Sequence, residues 1–221
     1  MTGRKSPSHA CANTSAVILA GGKSRRIGRP KAFLDLGGRS LIQRVIEAVR
    51  DTFPETLIVG PDSEPLRGLG LRVIPDRYPD AGPVGGAYTG IAEASHPHVL
   101  VVGCDMPFLS PTLLAHLAGR IDTHAAIVPR AADGLHPLHA VYSRHALSVF
   151  SSALEAGAFS FMALLSRLDV VKVEEEEMRR YDPELLSLFN VNQPGDFEAA
   201  RKHWELRRTT SGARASGEQG T

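Results

Sequence analysis

Residues 16–36 read AVILAGGKSRRIGRPKAFLDL. The segment opens with a short β-type run, Ala16-Val17-Ile18-Leu19, followed by Gly21 and Gly22. Lys23, Arg25, Arg26 and Arg29 come next, with Gly28 among them, and Lys31 closes the cationic series. A strand that runs into glycines and then into cations suits a polyphosphate. Glycine lets backbone N–H groups approach phosphate oxygens with no Cβ in the way, and the cations neutralise what the backbone cannot. Two common phosphate loops are absent. The G-x-x-x-x-G-K-[ST] pattern fails because Arg26 or Ile27 stands where its second glycine should be. The G-x-G-x-x-G pattern fails at Gly21-Gly22-Lys23. By residue type alone the segment is either a phosphate loop or a glycine turn with a solvated basic face.

Working outward from this segment, strands alternate with helices. Short apolar runs predict strands at residues 56–59, 71–74, 125–128, 138–142 and 170–173. Residues 99–103 are apolar without alternation, as expected for a central parallel strand buried on both faces. The capping-box pattern Ser40-x-x-Gln43 opens a helix over 41–50, with Ile42, Ile46 and Val49 at helical spacing. Ser110-Pro111 supplies an N-cap and a proline at the first helical position, for a helix over 111–118. Further helices are expected at 86–94, 146–155, 161–168 and 194–205. The alternation implies an α/β fold of three layers, a mostly parallel sheet with helices on both faces, and ligands at the carboxyl ends of the strands.

The chain of 221 residues suits one well-cored domain, expected over 16–206, between a flexible leader (1–15) and a disordered tail (207–221). A net charge of +1 argues against a general nucleic-acid binder. No apolar run reaches the ~18 residues of a membrane span, and residues 1–15 lack the apolar core of a signal peptide, so the cytoplasm is the expected compartment. Cys11 and Cys104 have neither metal-ligand spacing nor a disulfide framework.

Three further strand ends carry unusual residues. Asp76 follows the run at 71–74 and precedes the glycine-rich turn 82–86, which by itself could be a connecting loop. Cys104-Asp105-Met106-Pro107-Phe108-Leu109 follows the buried strand. A carboxylate there suits Mg²⁺, which takes oxygen ligands and keeps several waters; the competing reading is a turn cap. Cys104 is read as a small buried hydrophobe. Asn190 and Asn192 point the same way if the backbone is extended, although Asn192 could equally cap the helix that begins at Pro194. His136 either faces an acceptor or is a buried, hydrogen-bonded histidine, and the second reading is preferred. The acidic run 174–177 is read as a solvated charged face, and Arg144 has no role by sequence.

The string from Leu19 to Lys31 resembles the L-A-G-G-x-S-x-R-M-G-x-x-K signature of the nucleotidyltransferases, with Ile27 in the methionine position. Within that superfamily the chain is most similar to the molybdenum cofactor guanylyltransferases. The segment 76–86 resembles their D-x-x-x-x-x-G-P-L-x-G, with Val84 for leucine. The segment 104–109 matches C-D-M-P-F-L, 136–142 resembles H-P-L-x-A-V-Y, and 190–196 resembles N-x-N-T-P-x-D, with Gln193 for threonine. These matches run from residue 16 to about 200.

The resemblance implies a Rossmann-like nucleotidyltransferase fold that transfers GMP from GTP to the phosphate of molybdopterin and releases pyrophosphate. It assigns GTP to the backbone of Leu19, Ala20, Gly21 and Gly22 and to Lys31, Asp76 and Asp105. It assigns Mg²⁺ to Asp105, charge neutralisation at the leaving group to Lys31 and Arg25, and the pterin side to Asn190 and Asn192. GTP and the molybdenum cofactor are the implied partners, with a cofactor-delivery or acceptor enzyme beyond them. Where several members carry a polar base contact after the second strand, this chain has Gly60-Pro61-Asp62. A CTP-dependent molybdopterin enzyme, or another sugar- or alditol-phosphate nucleotidyltransferase, is therefore the alternative.

Overall fold

The computed structural model describes residues 11–21 and 31–217. In chain order the elements are β1 (Thr14–Leu19), α1 (Leu41–Arg50), β2 (Glu55–Val59), α2 (Glu64–Arg67), β3 (Arg72–Ile74), α3 (Gly82–Glu93), β4 (His98–Gly103) and α4 (Pro111–Ala118). They continue with β5 (Ala126–Ala131), β6 (Gly134–Leu135), β7 (His139–Ser143), α5 (Leu147–Glu155), α6 (Phe161–Leu165), β8 (Val170–Glu174), α7 (Glu175–Met178) and α8 (Pro194–Gly217). The sheet runs β3-β2-β1-β4-β7-β5-β6, with β8 paired to β5. Pairs β1/β2, β1/β4, β2/β3 and β5/β8 are parallel, whereas β7 is antiparallel to both β4 and β5. The sheet is thus mostly parallel, as the alternation predicts. The reversal at β7 follows from the short link after β5, which turns through β6 and has no room for the crossover that a parallel strand needs.

Strand alternation builds a core on each face. Ala16, Ile18, Ile58, Leu100, Val102 and Val141 pack under α1 and α4. Val17, Leu19, Leu57, Val99, Val101, Ala140 and Tyr142 pack under α3, α5 and α6. Every residue of 99–102 is fully buried, which accounts for the missing alternation there. On the second face α3 lies so close to the sheet that a Cβ at Gly90 would run into Val17 Cγ1. The expected caps are present. Ser40 Oγ accepts from Gln43 N while Gln43 Oε1 accepts from Ser40 N at 2.9 Å, and Ser110 Oγ accepts from Leu113 N at 3.3 Å.

Several elements differ from expectation. β1 starts at Thr14, inside the segment read as leader, and Cys11 is fully buried in the core. The polar start is a strand because its side chain has partners: Ser15 Oγ donates to Glu55 Oε2 at 2.5 Å and lies 2.9 Å from His96 Nδ1. α3 begins four residues early, at Gly82, and α6 ends three residues early, at Leu165. α8 continues to Gly217, into the segment expected to be disordered. The acidic run 174–177 is no simple solvated face. Glu174 pairs with Arg130 at 2.8 Å, Glu175 accepts from Ala132 N at 2.7 Å, and Glu177 binds both His116 and Arg120. Arg144 closes the carboxyl end of α3, donating to Ala94 O at 2.8 Å and Ala92 O at 3.0 Å.

Candidate functional site

The parallel strands β1 to β4 deliver four loops to one edge of the sheet. Their ladders run past the strand ends: Ala20 N donates to Val59 O at 2.8 Å, Gly60 N to Ile74 O at 3.0 Å, and Cys104 N to Leu19 O at 3.0 Å. The turns that carry Gly21 and Asp105 are thereby fixed as neighbours, with the turn at Gly60 between Gly21 and the turn that carries Asp76. The Ala20 N–H is committed to Val59, and Leu19 lies in the ladder with neighbours on both sides, so the amide of Gly21 is the better placed of the three to meet a phosphate. Gly22 and Arg25 lie outside the described residues.

Asp105 follows β4, and its carboxylate folds back over Gly103; a Cβ at Gly103 would collide with Asp105 Oδ1. Its Oδ2 accepts from Lys31 Nζ at 2.5 Å, and the side chains of Lys31 and Asp105 are 19% and 16% exposed. Lys31 enters from a 3-10 turn over Lys31–Phe33. The same ammonium donates to Asn192 Oδ1 at 3.1 Å. Asn192 is held in turn: Asp196 Oδ2 accepts from Asn192 N and Gln193 N, both at 2.8 Å, and Val191 N donates to Asp105 O at 2.9 Å. Lys31, Asp105 and Asn192 therefore form one cluster, with its backbone tied across the same gap. Asn190 does not join it, because its Nδ2 donates to Leu188 O at 3.0 Å.

Asp76 follows β3 and is half-buried. Its Oδ1 accepts from Tyr78 N at 2.9 Å and from Thr89 Oγ1 at 3.1 Å. Asp62, after β2, pairs with Arg67 at 3.3 Å on the exposed surface. His136 is hydrogen-bonded to Asp133 at 2.9 Å with its side chain 12% exposed, which fits the histidine read as partnered rather than free. Burial pushes the Cys104 thiol up to about 12, with the Asp105 charge adding to the effect, so it stays neutral and apolar in character.

His139 escaped sequence reasoning. It starts β7 in register with Val102, two residues short of Cys104, and is fully buried. Neither ring nitrogen makes a well-formed hydrogen bond, although the Ser187 backbone faces the ring. Burial, with a contribution from His136, brings its pKa down to about 3. An alternating strand gives no signal for such a residue beyond a histidine at an inward position.

A site of one carboxylate suits a divalent cation carried in on a triphosphate, because Mg²⁺ keeps waters and needs only one or two protein carboxylates. Among the described residues no group of three or more His, Cys, Asp or Glu side chains forms a dedicated metal cage. The donor set at Asp105 fits the first kind of site.

Residues 16–171 match the family model for the MobA-like NTP transferase domain. A probable molybdenum cofactor guanylyltransferase of Pelotomaculum thermopropionicum is 36% identical over 195 residues, which cover 88% of this chain and 95% of that one. The molybdenum cofactor guanylyltransferase of Desulfosudis oleivorans is 35% identical over 190 residues, covering 84% and 93%. Among solved structures, molybdopterin-guanine dinucleotide biosynthesis protein A of Archaeoglobus fulgidus superposes with a TM-score of 0.77 at 30% identity, over 87% of this chain and 99% of that one.

Proposed function

The chain belongs to the MobA-like NTP transferases, alongside the molybdenum cofactor guanylyltransferases, and we propose that it transfers GMP from GTP to the terminal phosphate of molybdopterin. An acceptor phosphate oxygen forms a bond to the α-phosphorus, the bond from that phosphorus to the bridging oxygen breaks, and pyrophosphate leaves. The reaction needs no protein nucleophile, because the acceptor phosphate is one. Alignment and charge neutralisation are what the barrier requires. The observation that carries the reading is the contact of Lys31 Nζ with Asp105 Oδ2 at 2.5 Å, at the carboxyl mouth of the central strands.

Asp105 would hold Mg²⁺, which supplies Lewis-acid polarisation and a template across the triphosphate. Lys31 offsets charge developing on pyrophosphate, and Arg25 is assigned the same task by its place in the motif. Asp76 and the backbone around Gly21 and Gly22 bind the nucleotide, and Asn192, hydrogen-bonded to Lys31, serves the acceptor side. Asn190 is left with a turn-stabilising role. No helix among the described residues is long and apolar enough to cross a membrane. A cytoplasmic location, with an acceptor enzyme that receives the product, accords with this reading.

Thermal shift of the protein with Mg²⁺ and each of GTP, CTP, ATP and UTP tests the donor. GTP should raise the melting temperature most, by the linkage of ligand binding to stability. Equal or greater stabilisation by CTP would favour cytidylyl transfer and leave the fold untouched.

A further inference from the structure

We propose that Thr89 is a positioning residue for donor binding: its hydroxyl fixes one oxygen of Asp76 so that the other stays available to the nucleotide. The proposal rests on the reading of Asp76 as a nucleotide contact. Thr89 lies in the middle of α3 and is fully buried. A buried threonine inside a helix ordinarily returns its hydroxyl to the carbonyl four residues back. Here the hydroxyl leaves the helix. It donates to Asp76 Oδ1 at 3.1 Å and accepts from Arg77 N at 3.1 Å. Tyr78 N donates to the same Asp76 oxygen at 2.9 Å. Two donors therefore converge on Oδ1.

Asp76 Oδ2 receives neither of them. It lies beside Leu19 and the Gly86 backbone, 3.6 Å from where a Cβ on Gly86 would stand. Leu19 ends β1, directly before the glycine loop, so this oxygen is on the nucleotide side of the turn. No cation neutralises Asp76 among the described residues. Arg77, its neighbour in sequence, is drawn away to Glu93, which also pairs with Arg72 at 2.6 Å. A carboxylate with one oxygen anchored and the other without a partner among the described residues is a directed acceptor. It suits the hydroxyl or N–H donors of a nucleoside and repels phosphate, which places the sugar or base here and the phosphates toward Lys31.

Thr89→Val keeps the shape and removes the hydroxyl, whereas Thr89→Ser keeps the hydroxyl. Equilibrium binding of GTP with Mg²⁺ to the whole chain should weaken about tenfold for the valine variant and stay within about twofold for the serine variant, the scale of one hydrogen bond to a charged group. In an Asp76→Ala background, Thr89→Val should make no further difference to GTP binding, while its effect on melting temperature should persist. Normal GTP binding by Thr89→Val, equal losses in the valine and serine variants, or a full additional loss on top of Asp76→Ala would each overturn the proposal. Normal GTP binding by Asp76→Ala alone would instead remove Asp76 from the proposed site, and the role of Thr89 with it.

Discussion

Lys31 Nζ lies 2.5 Å from Asp105 Oδ2, although 74 residues separate the two in sequence. The pair is anchored from a third direction, because the same ammonium reaches Asn192 Oδ1 at 3.1 Å while Val191 N holds the Asp105 carbonyl at 2.9 Å. On the proposed reading, a triphosphate entering this cleft would meet a cation already oriented for the charge that grows on the leaving group. Preorganisation of that kind avoids reorganisation at the moment of reaction.

Replacing Lys31 by alanine should therefore lower turnover by roughly two orders of magnitude or more, with a smaller loss of GTP affinity, because the cation matters most once pyrophosphate begins to depart. Steady-state pyrophosphate release and equilibrium GTP binding separate the two effects. Near-normal turnover would move the role to Lys23, Arg25 or Arg26.

Asp105→Asn keeps side-chain shape and hydrogen-bonding capacity but removes the negative charge. The variant should fold normally, bind Mg²⁺–GTP poorly and lose nearly all transfer. A turn cap would tolerate asparagine almost without cost, since both residues cap and both suit such turns. Normal transfer across a titration of Mg²⁺ would make Asp105 a structural residue.

Legibility of this fold and site followed local chemistry. The unbroken apolar run 99–103 announced β4, and the aspartate after it announced the mouth of the sheet, because both signals sit in a few consecutive residues. The start of β1 did not show. Thr14 and Ser15 look like loop residues until Glu55 and His96 supply partners for Ser15 from other elements. Asn192 was legible as an unusual residue, but not as a ligand of Lys31, which lies 161 residues away. Thr89 and His139 were invisible for the same reason. Their importance comes from what faces them across the packing, and a single threonine in a helix or histidine in a strand carries no pattern of its own.

Gly103→Ala tests whether the Asp105 carboxylate must lie where it does. A Cβ would meet Asp105 Oδ1 and come within 3.6 Å of Met106 Cγ, so the carboxylate has to swing away from the strand. Turnover should fall by roughly 100-fold, the cost of a displacement of about 1 Å at a reacting centre. The melting temperature should stay near that of the parent, since the carboxylate can move toward solvent. Unchanged turnover in a folded variant would mean that Asp105 works equally well from another rotamer.

Buried His139 is held neutral, with its pKa brought to about 3 by burial first and by His136 second. In the unfolded chain the same imidazole takes up a proton below about 6.5. Between these values the unfolded state binds more protons, so stability is fully present above about pH 6.5 and falls as the pH drops toward 3. The slope from this one group approaches about 1.4 kcal/mol per pH unit. Glu55 and Glu177, whose carboxyls are held below their ordinary value by hydrogen bonds that outweigh burial, lose their contribution only at more acid pH, below about 4.5. His98, lowered chiefly by burial, acts with the same sign as His139. Urea unfolding at several values between pH 5 and 7, compared between the parent and His139→Leu, removes the common terms. The leucine variant should show the shallower dependence and should gain on the parent as the pH falls. Parallel curves would mean that His139 takes up its proton in the folded state as readily as in the unfolded chain, and that the ring finds a partner when charged.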